Sequence, residues 1–335
     1  MATVMVTGVG GTGPIATVRS LRRTTAHEIV GVDMDPEAAG LHIADEGAVV
    51  PRATADAWPE ETAARVREFD VDALVPLVDE ELPRLPDLRR ALDEPLPIVA
   101  PRPEAVSLAL DKYRISTFLS ERGLGVPRTL LASDLDARSS VPFPLIAKPR
   151  RGRGSRDVEV LDARDDLGPY LDGTGQSPEE VVLQEYVEGT EYTTSIVATR
   201  DDRLLGVVPK EVITKEGNTM RGVTRDAPDV RAACRRLFEH LAPAGPMNAQ
   251  QIVSAETGDV NTIEINPRFS STACLTVAAG VDEIDLLVRD AVGESVEPAD
   301  PYERDLHLVR YTDQLFLPEG TLERRHDDEA VRTDD

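Results

Sequence analysis

The sequence is poor in aromatic residues, cysteine and lysine. Phe, Trp and Tyr together make up 4%, so any core must rest on Val, Leu, Ile and Ala. Only two cysteines occur, Cys234 and Cys274, in neither a disulfide framework nor a metal-site spacing. Free thiols in a reducing cytoplasm are the reading that follows. No apolar run approaches bilayer-spanning length, and no secretory leader or internal repeat is recognisable, so a cytoplasmic protein without a membrane partner is expected. Cations are scarce: 37 Lys and Arg stand against 61 Asp and Glu, a net charge of −24. Such a chain repels phosphate backbones, so no nucleic-acid partner is expected. Lysine is rarest of all, with Lys112, Lys148, Lys210 and Lys215 as the complete set. A chain that otherwise uses arginine is expected to keep lysine where an ammonium is needed. Excess acid with little lysine fits a halophilic source, where salt screens the self-repulsion.

What is present is enough for several packed units. The chain has 335 residues, 41% of them hydrophobic, which predicts two or three domains. Residues 1–105 alternate strands (ATVMVTGV, HEIVGVDMD, VDALVPLVD, LPIVA) with helices, the pattern of a doubly wound parallel sheet. A helix broken by Gly123 and Gly125 follows. Then come the strands VPRTLLAS, PFPLIAKPR and DVEVLD, a polar helical stretch, and a run of strands ending near Asn266. The last dozen residues are acidic, carry little apolar surface and are expected to have no fold of their own.

Two glycine-rich segments bear on chemistry. Gly8, Gly10 and Gly13 form GxGxxG between a strand and a helix, with Asp33 about twenty residues on. That is the dinucleotide fingerprint and keeps an NAD(P)-dependent oxidoreductase open as an alternative, as it does a site for another anion. In the second segment Lys148 ends the strand PLIAK and is followed by RRGRGSR, with Gly152, Gly154 and Ser155. Glycines let backbone amides close around phosphates, and a lysine ahead of them adds a compact charge. In LQEYVEGTEY the backbone of Glu185, Tyr186 and Val187 is placed to meet an adenine edge, and Glu191 to accept from ribose hydroxyls.

The late runs MNAQQIVSAETG and DVNTIEINPRFS read as two strands around a tight turn. Alternation puts Glu264 and Asn266 on one face, Ile263 and Ile265 on the other, with Asn248 and Gln250 together on the partner strand. Hard oxygen donors of this type suit Mg²⁺ (or Mn²⁺), which shares its shell with phosphates. Pro267 ends the strand and holds Arg268 beside the cluster, with a fork of donors for an anion.

In the order of these motifs the chain resembles the ATP-grasp superfamily, closest to synthetase units of the carbamoyl-phosphate synthetase large-subunit type. The resemblance runs from about residue 1 to 295, with IEINPRFS and PFPLIAKP its most specific parts. It implies a doubly wound domain over 1–105, linker helices and a lid over 106–188, a metal-bearing domain over 189–320 and a tail over 321–335. ATP would lie between lid and metal domain. By the same resemblance Lys112 and Lys148 reach the nucleotide phosphates, Gln250, Glu264 and Asn266 bind metal, and Arg268 steadies the transferred phosphoryl group. Gln250 stands where many amino-acid ligases carry an acid. Arg150, Arg151 and Arg153 are extra in the glycine loop, and Asp157 replaces a usual glycine. A single unit of this length implies an ATP-dependent carboxylate–amine ligase forming an acyl phosphate, with a homodimer common in such folds; an ATP-binding regulator without ligase chemistry is the remaining alternative. Asp79, Glu80, Arg221 and Arg225 are candidates for the acceptor pocket, and Lys210 and Lys215 for its neighbourhood.

Overall fold

A computed structural model describes residues 1–135, 141–152, 154, 156–299, 301–318 and 321. The expected tail, apart from Thr321, lies outside the described residues. The first unit holds β1 (Thr3–Thr7), α1 (Thr12–Thr24), β2 (Glu28–Asp33), α2 (Gly40–Ile43), β3 (Glu46–Val49), α3 (Trp58–Glu68), β4 (Ala73–Val75) and α4 (Leu85–Ala91). Its four strands are parallel in the order β3-β2-β1-β4. Val4, Met5 and Val6 in β1 are fully buried, as a central parallel strand covered on both faces requires. The expected strand at LPIVA is reduced to one bridge, Leu74 to Ile98. With Pro95 and Pro97 flanking it, few amides remain to extend a ladder.

Two helices come next, α5 (Pro103–Ala109) and α6 (Lys112–Glu121). They are separated at Leu110 and Asp111, so the break precedes the glycines that the sequence suggested. Asp111 caps α6 by accepting from the Arg114 amide at 3.1 Å. A small antiparallel sheet follows, from β5 (Thr129–Leu131), β6 (Leu145–Pro149), β7 (Glu159–Leu161) and β8 (Val181–Glu185), with α7 (Leu167–Thr174) across it. The order is β5-β8-β6-β7. Leu145, Ala147, Val181 and Leu183 pack with Leu161 and Tyr170 into a core of its own. By alternation Ile146, Lys148 and Gln184 face the other way.

The third unit is a six-stranded sheet. It comprises β9 (Gly189–Ala198), β10 (Leu204–Glu216), β11 (Asn218–Thr224), β12 (Met247–Ser254), β13 (Val260–Asn266) and β14 (His307–Val309), with α8 (Pro228–Leu241), α9 (Ala273–Ala278) and α10 (Glu283–Ala291). Strand order is β13-β12-β9-β10-β11-β14. Helix α8 buries Val230, Cys234, Leu237 and Leu241, a stripe at helical spacing. Ala109, Ile115 and Leu119 of α5 and α6 join that core, so these helices pack on the large sheet, and α6 also touches β5 of the small one. A further core joins β1, β2 and α1 of the first unit to α9 and α10, through Val18, Leu21, Val277, Ile284 and Leu287. Each such side chain contributes about 1.5–3 kcal/mol. The packing locks the first unit against α9 and α10 of the third.

Candidate active site

The hairpin β12–β13 pairs Asn248 with Asn266 and Gln250 with Glu264. Met247, Ala249 and Ile265 enter the core beneath α6 and α8. Asn248, Gln250, Glu264 and Asn266 lie on the other face and line one cavity of about 320 Å³. Strand β9 pairs with the far side of β12, bringing Thr193 opposite Gln250 and Glu191 opposite Ile252. The alternation expected along VNTIEIN is interrupted, because the register slips between Gln250 and Gln251 and leaves Ile263 as a bulge. The Ile263 carbonyl accepts from Lys148 Nζ at 3.0 Å. Lys148 also donates to Gln184 Oε1 at 2.9 Å. Neither Gln184 nor the bulge was foreseen; the only sequence signal for Gln184 is its place on the same strand face as a cavity residue.

A second cavity of about 170 Å³ lies between the small sheet and the hairpin. Its walls are partly apolar (Ile146, Val158, Ile252), with Lys112, Lys148 and Gly152 at one side and Glu185, Tyr186 and Val187 at another. Gln250, Glu264, Lys215 and Arg156 line both cavities. Three of the four lysines thus border this second space. Burial pushes the Lys148 ammonium down to about 8; Glu264 opposes that, and Lys112 and Lys215 add to it.

Lys112 is buried, donates to the Gly152 carbonyl at 2.7 Å and stands 3.8 Å from Glu264 Oε1. Gly152 and Gly154 take φ of 132° and 72°, and Asp157, in the usual glycine position, takes φ of 54°. Aspartate tolerates this left-handed region better than most residues, which accounts for the replacement. Ser155 and Arg153 lie outside the described residues. Arg150 and Arg151 turn away from the loop onto Asp111, at 2.8 and 3.4 Å. Burial acts to raise the Asp111 pKa, but the hydrogen bonds from Arg150 and the Arg114 amide hold it below the usual value.

In the hinge, the Glu185 amide bonds the Arg128 carbonyl and the Tyr186 amide bonds that of Pro144. Glu191 borders the first cavity instead of the hinge cavity, and accepts from Lys215 Nζ at 2.8 Å. Arg268 also borders the first cavity, where it is paired with Asp79 and donates to Asn266 Oδ1 at 3.3 Å.

Five suggested acceptor or neighbouring residues fall elsewhere; Asp79 does not line the first cavity and instead pairs with Arg268. Arg221 and Arg225 do not line the first cavity; Arg225 is tied to Glu211 and Asp305. Glu80 does not line it either. Lys210 is wholly buried, donating to Ser195 Oγ and Thr276 Oγ1 at 2.6 and 2.8 Å. Gly217, Asn218 and Thr219 take the expected place of the arginines.

The N-terminal fingerprint is turned inward. Asp33 accepts from its own loop, from the Gly10 amide at 2.6 Å and the Asp35 amide at 2.9 Å. A Cβ at Gly13 would stand 3.2 Å from Ser271 Cα, so this glycine permits α1 to approach the segment after β13. The acid that a dinucleotide ribose would need is already engaged.

The donor set fits a hard cation. Glu264 supplies a carboxylate, Gln250 faces it across the ladder, and Asn266 is next on the same face. Among the described residues no group of three His, Cys, Asp or Glu forms a metal site. One carboxylate with amide oxygens suits Mg²⁺, which takes the rest of its shell from phosphates and water.

Residues 109–272 match the ATP-grasp domain model, and residues 4–95 match the PylC-like N-terminal domain. The chain thus carries an ATP-grasp domain preceded by a PylC-like N-terminal domain. It is 24% identical over 293 residues to a carbamoyl-phosphate synthase of Methanobrevibacter smithii, covering 81% of this chain and 76% of that one. It is 27% identical over 232 residues to the carbamoyl phosphate synthase large chain of Halobacterium salinarum, covering 64% of this chain but only 22% of that one. The fold is similar to that of N5-carboxyaminoimidazole ribonucleotide synthetase from Thermotoga maritima, with TM-score 0.65, 19% identity, and coverage of 90% and 78%. Among the described residues no helix is long and apolar enough to cross a membrane.

Proposed function

We propose that the protein joins a small carboxylate to an amine at the expense of MgATP, through an acyl phosphate. The observation that carries this reading is the wall shared by two cavities of unlike character. Gln250, Glu264, Lys215 and Arg156 separate a partly apolar slot, edged by the hinge, from a polar chamber edged by Arg268. The slot accepts adenine against Ile146 and Ile252, within reach of the hinge backbone at Glu185, Tyr186 and Val187. Lys112, Lys148 and the amides around Gly152 and Gly154 meet the phosphates. Glu191, on the chamber side, is read as the ribose partner once Lys215 releases it.

Mg²⁺, held by Glu264, Gln250 and Asn266, would neutralise phosphate charge. The residues' own part is positioning and charge compensation. The substrate carboxylate attacks the γ-phosphorus in line, the bond to the β-phosphate oxygen breaks, and ADP leaves. Arg268, kept in place by Asp79, faces the oxygens of the transferred group. The amine then attacks the acyl carbon, and phosphate departs with the amine's proton. The domain limits at 105, 188 and 320 belong to this reading.

The test is direct. MgATP should raise the unfolding temperature, whereas NAD(P) should not. Glu264→Ala should lower carboxylate-dependent phosphate release at least 100-fold. Near-normal ATP consumption in that variant would remove the metal assignment.

A further inference from the structure

Two walls of the polar chamber are joined by a residue that lies beyond both matched domains. Arg310 follows the edge strand β14, outside residues 4–95 and 109–272. Strand β14 runs antiparallel to β11, with Val309 opposite Arg221. The pairing carries on by one residue, where the Arg310 amide donates to the Met220 carbonyl at 2.9 Å. The side chain is half-buried and does not itself line the chamber. Both of its partners do. Arg310 Nε donates to the Thr219 carbonyl at 2.7 Å, and Nη2 donates to the Ser271 carbonyl. Thr219 belongs to β11 and Ser271 to the segment between β13 and α9; both line the chamber with Glu264 and Arg268.

The wall at Thr219 needs such an anchor. Strands β10 and β11 turn at Gly217, which takes φ of 66°. The tip of this hairpin, residues 213–218, is exposed, and its pairing slips twice, between Val212 and Thr214 and between Thr214 and Lys215. Irregular pairing of this kind locally disrupts the ladder. Yet Lys215, Gly217 and Asn218 of the tip line the chamber. Thr219, at the base of the tip, is buried, and it is there that Arg310 ties the hairpin to Ser271. A planar guanidinium holds two carbonyls at a fixed angle, which an ammonium does not. Further along the same segment Asp313 meets Arg19 of α1 at 3.1 Å, but both side chains are nearly half exposed, and such a pair adds little.

We infer that Arg310 is a positioning residue: it anchors the β10–β11 tip to the segment after β13 and so limits how far the chamber opens to water. This inference rests on the ligase reading, in which the chamber adjoins the γ-phosphate. With the anchor removed, the tip is free to move away and water competes for the phosphoryl group. A water oxygen then attacks the γ-phosphorus, the bond to the β-phosphate oxygen breaks, ADP and phosphate leave, and the water's proton passes to solvent.

The experiment follows phosphate release by the full chain from MgATP alone, with no carboxylate or amine added. MgADP affinity is measured in parallel by calorimetry. Arg310→Ala and Arg310→Lys should each release phosphate roughly threefold faster than the parent or more, while MgADP affinity is kept. Guanidinium chloride at millimolar concentration should return Arg310→Ala toward the parent rate, and equal NaCl should not; a purely structural defect has no reason to respond in this way. Arg19→Ala should match the parent. No rise in either Arg310 variant, a rise that guanidinium leaves unchanged, an equal rise in Arg19→Ala, or a tenfold loss of MgADP affinity in both Arg310 variants would overturn the inference. A parent that binds no MgADP would remove the ligase reading itself, so the two failures are distinguishable.

Discussion

Arg268 forms a two-point ion pair with Asp79 across 189 residues of sequence, with Nη2 reaching Oδ2 at 3.2 Å. Both side chains are largely buried, at 18% and 12% exposure. The pair ties the loop after β4 to the segment that follows β13. It also fixes a guanidinium whose other donors reach the Phe269 carbonyl and Asn266 Oδ1.

Asp79→Asn should therefore strand a buried charge. Breaking such a pair from one side costs about 3 kcal/mol. The denaturation midpoint should fall accordingly, and turnover should fall with it as Arg268 loses its orientation. Arg268→Lys should not restore activity, because an ammonium lacks the planar fork. An Asp79→Asn enzyme with unchanged stability and turnover would show that the pair is incidental.

If Lys148 meets the nucleotide as proposed, binding should depend on pH. Its pKa is lowered to about 8 by burial, so ATP affinity should decline as pH rises through 8, and Lys148→Gln should flatten that decline. The same substitution should weaken ATP by about 1.5–3 kcal/mol near neutral pH. Stability runs the other way. A folded pKa below the unfolded value of 10.5 means that the unfolded chain binds more protons between 8 and 10.5. Stability from this group should rise over that window. Lys210, also lowered to about 8 by burial, acts in the same sense. Urea midpoints across that range should rise less steeply in Lys210→Met.

Glu81 behaves oppositely. It is buried beneath Thr7, whose hydroxyl donates to it, and burial raises its pKa to about 8. Between the ordinary value of 4.5 and 8 the folded state holds the extra proton, so this group's contribution to stability falls as pH rises. Glu81→Gln should match the parent near the acid end of that range and exceed it above pH 8 by a few kcal/mol, a shift read by thermal denaturation. Equal pH profiles for the two proteins would show Glu81 to be ionised throughout.

The net charge of −24 predicts a salt response. At about 0.1 M salt the screening length is about 10 Å, and at about 1 M it is about 3 Å. The unfolding temperature should climb steadily with KCl over this range. A flat response would mean that surface repulsion does not limit this fold.

Much of the site was legible because its local pieces are periodic. Strand alternation places Asn248 and Gln250 on one face of their strand, and in the structure both line one chamber while Ala249 enters the core. What alternation does not carry is the bulge at Ile263, since a bulge is fixed by pairing with a partner strand. The reading of Arg221 and Arg225 failed for a related reason. Charged residues on and just after β11 choose between a cavity and a nearby acid according to tertiary neighbours, and Glu211 with Asp305 claimed Arg225. The break between α5 and α6 fell at Leu110 and Asp111 because an aspartate cap restarts the helix there, whereas the later glycines only end it.

Composition, strand periodicity and motif order by themselves determined the kind of fold, the location of the phosphate loop and the oxygen-donor hairpin. These follow from backbone geometry acting over a few residues. Only the tertiary structure decided that Asp79 neutralises Arg268, that Lys148 is pinned to the Ile263 carbonyl, and that the α1 N-terminus opens on the same chamber as Glu264. Those relations join residues more than a hundred positions apart. They depend on how the cores of separate sheets pack together, which no short stretch of sequence encodes.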